Sequence, residues 1–180
     1  MKNNISIGID NGVTGGIVAI DDNGQIITKF KMPIVKRKWG SKQRNFVDAE
    51  KLYKAIGDIK GDGIAIAYLE RPTHAPSHDS LRSMVDSYAT TRTVLELLLI
   101  HTVAVDAIHW QKTFWTKPKG IKAKDYDTKK EALRVANEKW EHESWLATSR
   151  SSVPHSGIVD AVLIAEYGRN LHLNTAEHGS

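Results

Sequence analysis

Apolar residues at alternate positions open the chain: Ile5, Ile7 and Ile9 flank Ser6 and Gly8, and the run resumes from Ile17 to Ile20. Alternation of period two predicts strands. Asp22-Asn23-Gly24 is a hairpin-turn sequence, so "QIITKFKMPIV" is expected to return as a third strand of an antiparallel meander. "KRKWGSKQRNF", Lys36 to Phe46, fits neither period and is expected to be an exposed loop. "VDAEKLYKAIGDI" switches to helical spacing, with Asp48 as its cap. After Gly61-Asp62-Gly63, "IAIAYLE" is a short apolar strand ending on Glu70, and "RPTHAPSH" is a loop.

A long helix is predicted from Asp79 to Ile100, with Leu81, Met84, Tyr88, Val94, Leu95 and Leu98 along one face. "HTVAVDAI" is a further strand, and "WQKTFWTKPKGIKAK" an aromatic and basic connection. Thr128-Lys129-Lys130-Glu131 has the form of a capping box, opening a helix to about Trp140. "GIVDAVLIAEYGRN" is the last helix. Three antiparallel strands followed by strand–helix alternation predict an α/β protein: a mixed five-stranded sheet, its later strands parallel, with helices on both faces. One domain is expected over residues 1–170, with a polar, weakly ordered tail over 171–180.

Composition changes this picture little. The absence of cysteine excludes disulfides, thiolate metal sites and a cysteine nucleophile. No apolar run reaches the length of a membrane span. The strand pattern begins within a few residues of Met1, so no signal peptide is expected and the cytoplasm is the expected location. The net charge of +4 is modest, but its distribution is uneven.

Three acids fall at telling places. Asp10 ends the first strand, in "GIDNGVTGG", and Glu70 ends the fourth. Ligands of α/β proteins collect outside strand ends. Asp160 is expected in the first turn of the last helix. Convergence of three carboxylates calls for a cation, and an all-oxygen set suits Mg2+ or Mn2+. Two such ions can activate water and stabilise the leaving oxygen of a phosphodiester. On that reading the glycines after Asp10 let a nucleic-acid backbone come close. Taken singly, each acid equally suits a plain turn cap, a surface ion pair or a helix-start charge.

These residues resemble the RuvC-type Holliday junction resolvases, in particular the compact phage and bacterial forms of the RNase H-like superfamily. The resemblance spans Ile5 to about Asn170. It rests on "IGIDNGVTGGIVAID", "YLERP", "VDAIHWQKTF" and "HSGIVDAVLIAEYG". It implies an RNase H-like fold and metal-dependent cutting of four-way DNA junctions, by paired nicks that leave 5′-phosphate and 3′-hydroxyl ends. It also implies a homodimer, with Asp10, Glu70 and Asp160 as metal ligands. The family typically has Pro where this chain has Asn11, and an Asp or His about one helical turn before the last acid. Here that stretch reads His155-Ser156-Gly157, which makes His155 the candidate fourth ligand or proton carrier, or else a loop residue before a Ser156 cap.

Phosphate contact is mostly the work of Lys and Arg. Lys36, Arg37, Lys38, Lys42 and Arg44 form one basic cluster, and Lys112, Lys117, Lys119, Lys122 and Lys124 another. Trp39, Trp110, Phe114 and Trp115 lie among them, of which Trp110 is expected in the core and the others are candidates for stacking on unpaired bases. Lys129 or Lys130 is expected near the scissile phosphate from the resemblance. His74 and His78 follow Glu70 without an assigned role. The same acids would serve a nuclease acting on other branched DNA or RNA–DNA hybrid, and the basic clusters a junction-binding protein without catalysis. "GIDNGVTGG" also resembles the first phosphate loop of sugar kinases and actin, but no second such loop follows.

Overall fold

The computed structural model describes residues 4–61, 63–73, 77–122 and 125–177, the last four by backbone alone. The elements in chain order are β1 (Asn4–Asp10), β2 (Gly16–Ile20), β3 (Ile26–Lys31), β4 (Ile34–Trp39), β5 (Lys42–Val47) and α1 (Ala49–Lys60). Then come β6 (Ile64–Glu70), α2 (His78–Leu97), β7 (His101–Val105), α3 (Ala107–Phe114), α4 (Thr128–Lys139) and α5 (Ser156–Glu177). Five strands form one mixed sheet in the order β3-β2-β1-β6-β7. The β1–β2 and β2–β3 pairs are antiparallel, and β1–β6 and β6–β7 are parallel. The expected sheet and its helical layers are present.

Alternation within the strands divides the interior in two. Ile7, Ile9, Ile17, Ala19, Ala67 and Leu69 point to one side, where they pack with Leu52 and Ile56 of α1 and with Val94 and Leu95 of α2. Val18, Ile20, Tyr68 and Val105 point to the other, against α5 and, beyond it, α4. Every residue of α5 from Gly157 to Glu166 is buried, as befits a helix lodged between a sheet and another helix. Gly8 allows this closeness: a Cβ there would lie 2.0 Å from the carbonyl oxygen of Ala161.

Several expectations require correction. Lys36 to Phe46 is not a loop but most of a β4–β5 hairpin, paired from Ile34↔Val47 to Trp39↔Lys42. The ribbon stands outside the main sheet, so it has no apolar face to impose an alternation; its turn is carried by Gly40, at φ 62°. The "WQKTF" stretch is the body of α3. The cap of α4 is Asp127, whose side chain accepts from the backbone N–H groups of Lys129 and Lys130, one residue before the expected box. α5 begins at Ser156, which moves Asp160 from the first turn into the second, and it continues through Leu171 to Glu177, where a loose tail was expected.

The apolar face expected on α2 is buried only in its C-terminal half. Val94 and Leu95 enter the core, whereas Leu81 and Val85 remain exposed. The N-terminal half of α2 projects past the sheet, and there it walls a cleft.

Candidate active site

β1 and β6 are parallel neighbours with Ile9 opposite Leu69, so Asp10 and Glu70 leave the same edge of the sheet side by side. Asp10 shares the pleat parity of Gly8, and Glu70 that of Tyr68, which places both carboxylates on the α5 face. α5 supplies Asp160 from that side. Its start is pinned to the β1–β2 turn by a bridge between Gly15 and Gly157. A Cβ on Gly157 would lie 2.6 Å from the backbone carbon of Gly15, and one on Gly16 would lie 2.6 Å from Gly157. The backbone that Gly16 admits is therefore that of α5, and the one that Gly15 admits is the Asp10 carbonyl of its own turn, not that of a nucleic acid. Gly12, at φ 130°, does face open space.

The three acids feel one another. Burial, and then the charges of Asp160 and Glu70, push the Asp10 carboxyl well above its ordinary value, against the pull of Lys129. Burial raises Glu70 despite its hydrogen bond from Trp110 and the Lys129 charge, with Asp160 and Asp106 adding to the rise. Burial also raises Asp160, against the neighbouring Lys129 charge and hydrogen bond. The Lys129 ammonium donates to Asp160 Oδ2. Burial disfavours its charge, but Asp160, Asp10 and Glu70 together hold its pKa above the usual lysine value. Of the two lysines expected here, Lys129 is thus the one brought to the acids. Both lysines are exposed, and what sets Lys129 apart is its bond to Asp160.

Glu70 is oriented from behind. Trp110, 1% exposed, donates its indole N–H to Glu70 Oε2 at 2.9 Å. This bears out Trp110 as a core residue and adds a polar role that composition did not reveal. Arg71 clamps Asp106, the residue that opens α3, through bonds of 2.9 and 2.6 Å, tying the end of β6 to the helix that carries Trp110.

His155 is placed differently. Its Nδ1 accepts the N–H of Ile158 at 3.3 Å, and its carbonyl accepts from Ile158 and Val159, so it is His155 rather than Ser156 that caps α5. Burial, followed by the charge of Lys31, holds its imidazole below the usual range, and none of the three acids acts on it. Ser156 lines the cleft and His155 does not. Gly157, one turn before Asp160, has no room for a side chain. His155→Ala is expected to cost about 1 kcal/mol of stability through the lost cap, and His155→Asn to recover most of it, as measured by urea unfolding.

The donor set suits a hard divalent cation, being all carboxylate oxygen with the partnerless, buried Oδ1 of Asn11 nearby. Asn11 itself is held by a 2.9 Å bond from its Nδ2 to the carbonyl of Met84. Among the described residues, no three carboxylates or imidazoles close on a single ion position; the ammonium of Lys129 is the cation that faces all three acids.

A cleft of about 740 Å3 opens from these groups. Asp10, Glu70 and Lys129 line one side, and Trp39, Arg44 and Phe46 of the hairpin line another. Lys36, Arg37, Lys38 and Lys42 are exposed on that hairpin, while Arg44 pairs with Asp79 of α2 at 2.9 Å. Lys112, Lys117, Lys119 and Lys122 are exposed but do not border the cleft, and Lys117 donates to the carbonyl of Ile121. Lys124 and His74 lie outside the described residues. Nothing in the residue pattern singled out Gly157 as a packing position; its only signal was the impossibility of a ligand there.

The sheet order and the parallel junction of β1 with β6 give an RNase H-like fold similar to that of RuvC. Among solved structures, a Thermus thermophilus RuvC in complex with Holliday junction substrate matches with a TM-score of 0.55, covering 95% of this chain and 96% of that one at 7% identity. A second T. thermophilus RuvC structure matches at 0.55 over 95% and 97%, at 10% identity. No family model and no curated protein matches the sequence. Among the described residues, no helix is long and apolar enough to cross a membrane.

Proposed function

We propose that this protein is a divalent-metal-dependent endonuclease that resolves four-way DNA junctions. The observation that carries the reading is that Asp10, Glu70 and Lys129 line one cleft, with Asp160 bonded to Lys129 behind it and Trp39, Arg44 and Phe46 of the hairpin facing them. Asp10, Glu70 and Asp160 would hold Mg2+ or Mn2+, which supplies Lewis acidity to the phosphate and to the attacking water. The oxygen of water attacks phosphorus in line, the bond to the 3′ oxygen breaks, and a proton returns to that oxygen, leaving 5′-phosphate and 3′-hydroxyl ends. Lys129 supplies a fixed positive charge beside the phosphate. Trp110 keeps Glu70 from turning away. The exposed hairpin cations hold the flanking phosphates.

Two symmetric nicks need two sites, so the reading includes a twofold dimer, with the exposed Leu81 and Val85 of α2 as its self-contact. The test is a synthetic four-way junction incubated with the protein in Mg2+, Mn2+ or EDTA, beside a fork, a flap and an RNA–DNA hybrid. Paired nicks on the junction, absent in EDTA, are expected; preferential cutting of another substrate reassigns the activity, and no cutting in either metal ends the proposal. Trp110→Phe, which keeps the aromatic bulk but loses the N–H, is expected to slow cutting about tenfold or more for a stability loss of about 1–2 kcal/mol. An unchanged rate would show that Glu70 needs no such support.

A further inference from the structure

The tryptophans fall into two groups. Trp110 and Trp145 are buried, and Trp115 and Trp140 pack against the α5 core. The indole N–H groups of Trp110, Trp140 and Trp145 donate to Glu70, Gly24 and Asn137. Trp39 is 52% exposed at the end of β4, and among the described residues its indole N–H has no hydrogen-bond partner. A ring left half in water forgoes part of the free energy that full burial would supply.

The ring is nonetheless held. Trp39 pairs with Lys42 across the turn. Phe46, four residues beyond Lys42 on the same strand, supports it at 5.8 Å with the planes inclined by 46°. The Arg37 guanidinium lies 5.9 Å from the Phe46 ring. By register Arg37, Trp39, Lys42, Arg44 and Phe46 share one face of the ribbon. The Arg44–Asp79 pair ties that face to the first turn of α2. Trp39 thus stands at the lip of the same cleft that leads to Asp10 and Glu70.

We propose that Trp39 is a stacking platform for one unstacked base of a branched DNA, held at the cleft mouth so that the adjoining strand runs toward the acids. The choice of DNA as occupant rests on the nuclease reading above, together with the cations that surround the ring. A flat aromatic face among cations suits a base whose neighbouring phosphates those cations can reach. Bases inside a continuous duplex are stacked on each other and offer no free face. Those at a branch point do. The platform would therefore favour branched over unbranched DNA without reading sequence, while the hairpin cations would bind both.

The experiment measures binding in EDTA, so that it does not depend on cutting. Junctions carrying the fluorescent base 2-aminopurine at the crossover or in mid-arm are titrated with the unmodified protein, Trp39→Ala and Trp39→Phe. The unmodified protein is expected to quench the crossover probe and leave the mid-arm probe unchanged. Trp39→Ala should lose that quenching and bind the junction roughly 5- to 100-fold more weakly, with duplex affinity unchanged; Trp39→Phe should recover most of the difference. The slope of log affinity against log salt should be the same for Trp39→Ala as for the unmodified protein, because no phosphate contact is lost. Reversal of Lys36, Arg37 and Lys38 to Glu should flatten it.

Equal junction affinity in Trp39→Ala, or an equal loss on junction and duplex, overturns the platform. So does a change of oligomeric state in that variant, which would make Trp39 a protein-contact residue. A protein that quenches the crossover probe but cuts nothing in metal keeps the platform and loses the nuclease reading; normal cutting with unchanged Trp39→Ala binding does the reverse.

Discussion

Asp10→Asn is expected to stop DNA cutting while raising the melting temperature of the metal-free protein. Three carboxylates act on one another near the sheet edge with the Lys129 ammonium as their counter-charge, and partial burial has already taken solvation from Asp10. Asn has nearly the same shape and removes one member of the repelling set. The gain expected is about 1–3 kcal/mol, the size of a poorly compensated buried polar group, or about 2–4 °C for each kcal/mol at this chain length. The sign with pH follows from the raised pKa. Between the usual carboxylate value and the raised one, folded Asp10 keeps a proton that the unfolded chain has lost, so stability declines as pH rises through that window. The substitution removes that decline, and the two proteins should melt alike below the usual carboxylate range. Junction binding should persist, since in the proposed reading phosphate contact belongs to the hairpin. Thermal melts across pH, with a cutting assay, check this; a lower melting temperature at neutral pH would contradict the placement of the acids.

Gly157→Ala is expected to be damaging out of proportion to one methyl group. The new Cβ would meet the backbone of Gly15 at 2.6 Å and the carbonyl oxygen of Thr14 at 2.7 Å, neither of which can rotate away. Relief requires α5 to retreat from the β1–β2 turn, at a cost of about 1–3 kcal/mol or more. Asp160 would move with it, so cutting should fall even where the fold survives. Gly157→Asp, which places a carboxylate one turn before Asp160, should be worse still rather than supply a fourth ligand. Urea unfolding and cutting rates measure both, and near-normal stability in Gly157→Ala would show the contact to be looser than described.

The centre of the main sheet was legible because β1, β2 and β6 are buried along most of their length and keep their apolar residues in short runs between turn signals: Ile5 to Ile9, Ile17 to Ile20, and "IAIAYLE". The strand-end positions of Asp10 and Glu70 followed directly, and the parallel β1–β6 pair makes them neighbours. The β4–β5 hairpin was not legible because a ribbon solvated along most of its length has no hydrophobic period to reveal it. The second-turn place of Asp160 was hidden for another reason. Where α5 begins depends on the cap from His155 and on glycine backbones meeting across a long stretch of chain, and neither is a local pattern. Lys129 and Lys130 are alike in sequence, and only the start of α4 at Thr128 decides which one faces the acids.

The pinning of α5 against the first hairpin also has a consequence in time. A ribosome delivers Asp10 first, Glu70 midway and Asp160 near the end. β1 and β2, although made first, have one side open until α5 arrives to cover it. A nascent chain therefore carries two thirds of its acidic set without the element that completes it. Such dependence on distant contacts slows folding. Under the nuclease reading proposed above, the emerging polypeptide would lack its third acid until its last helix is released.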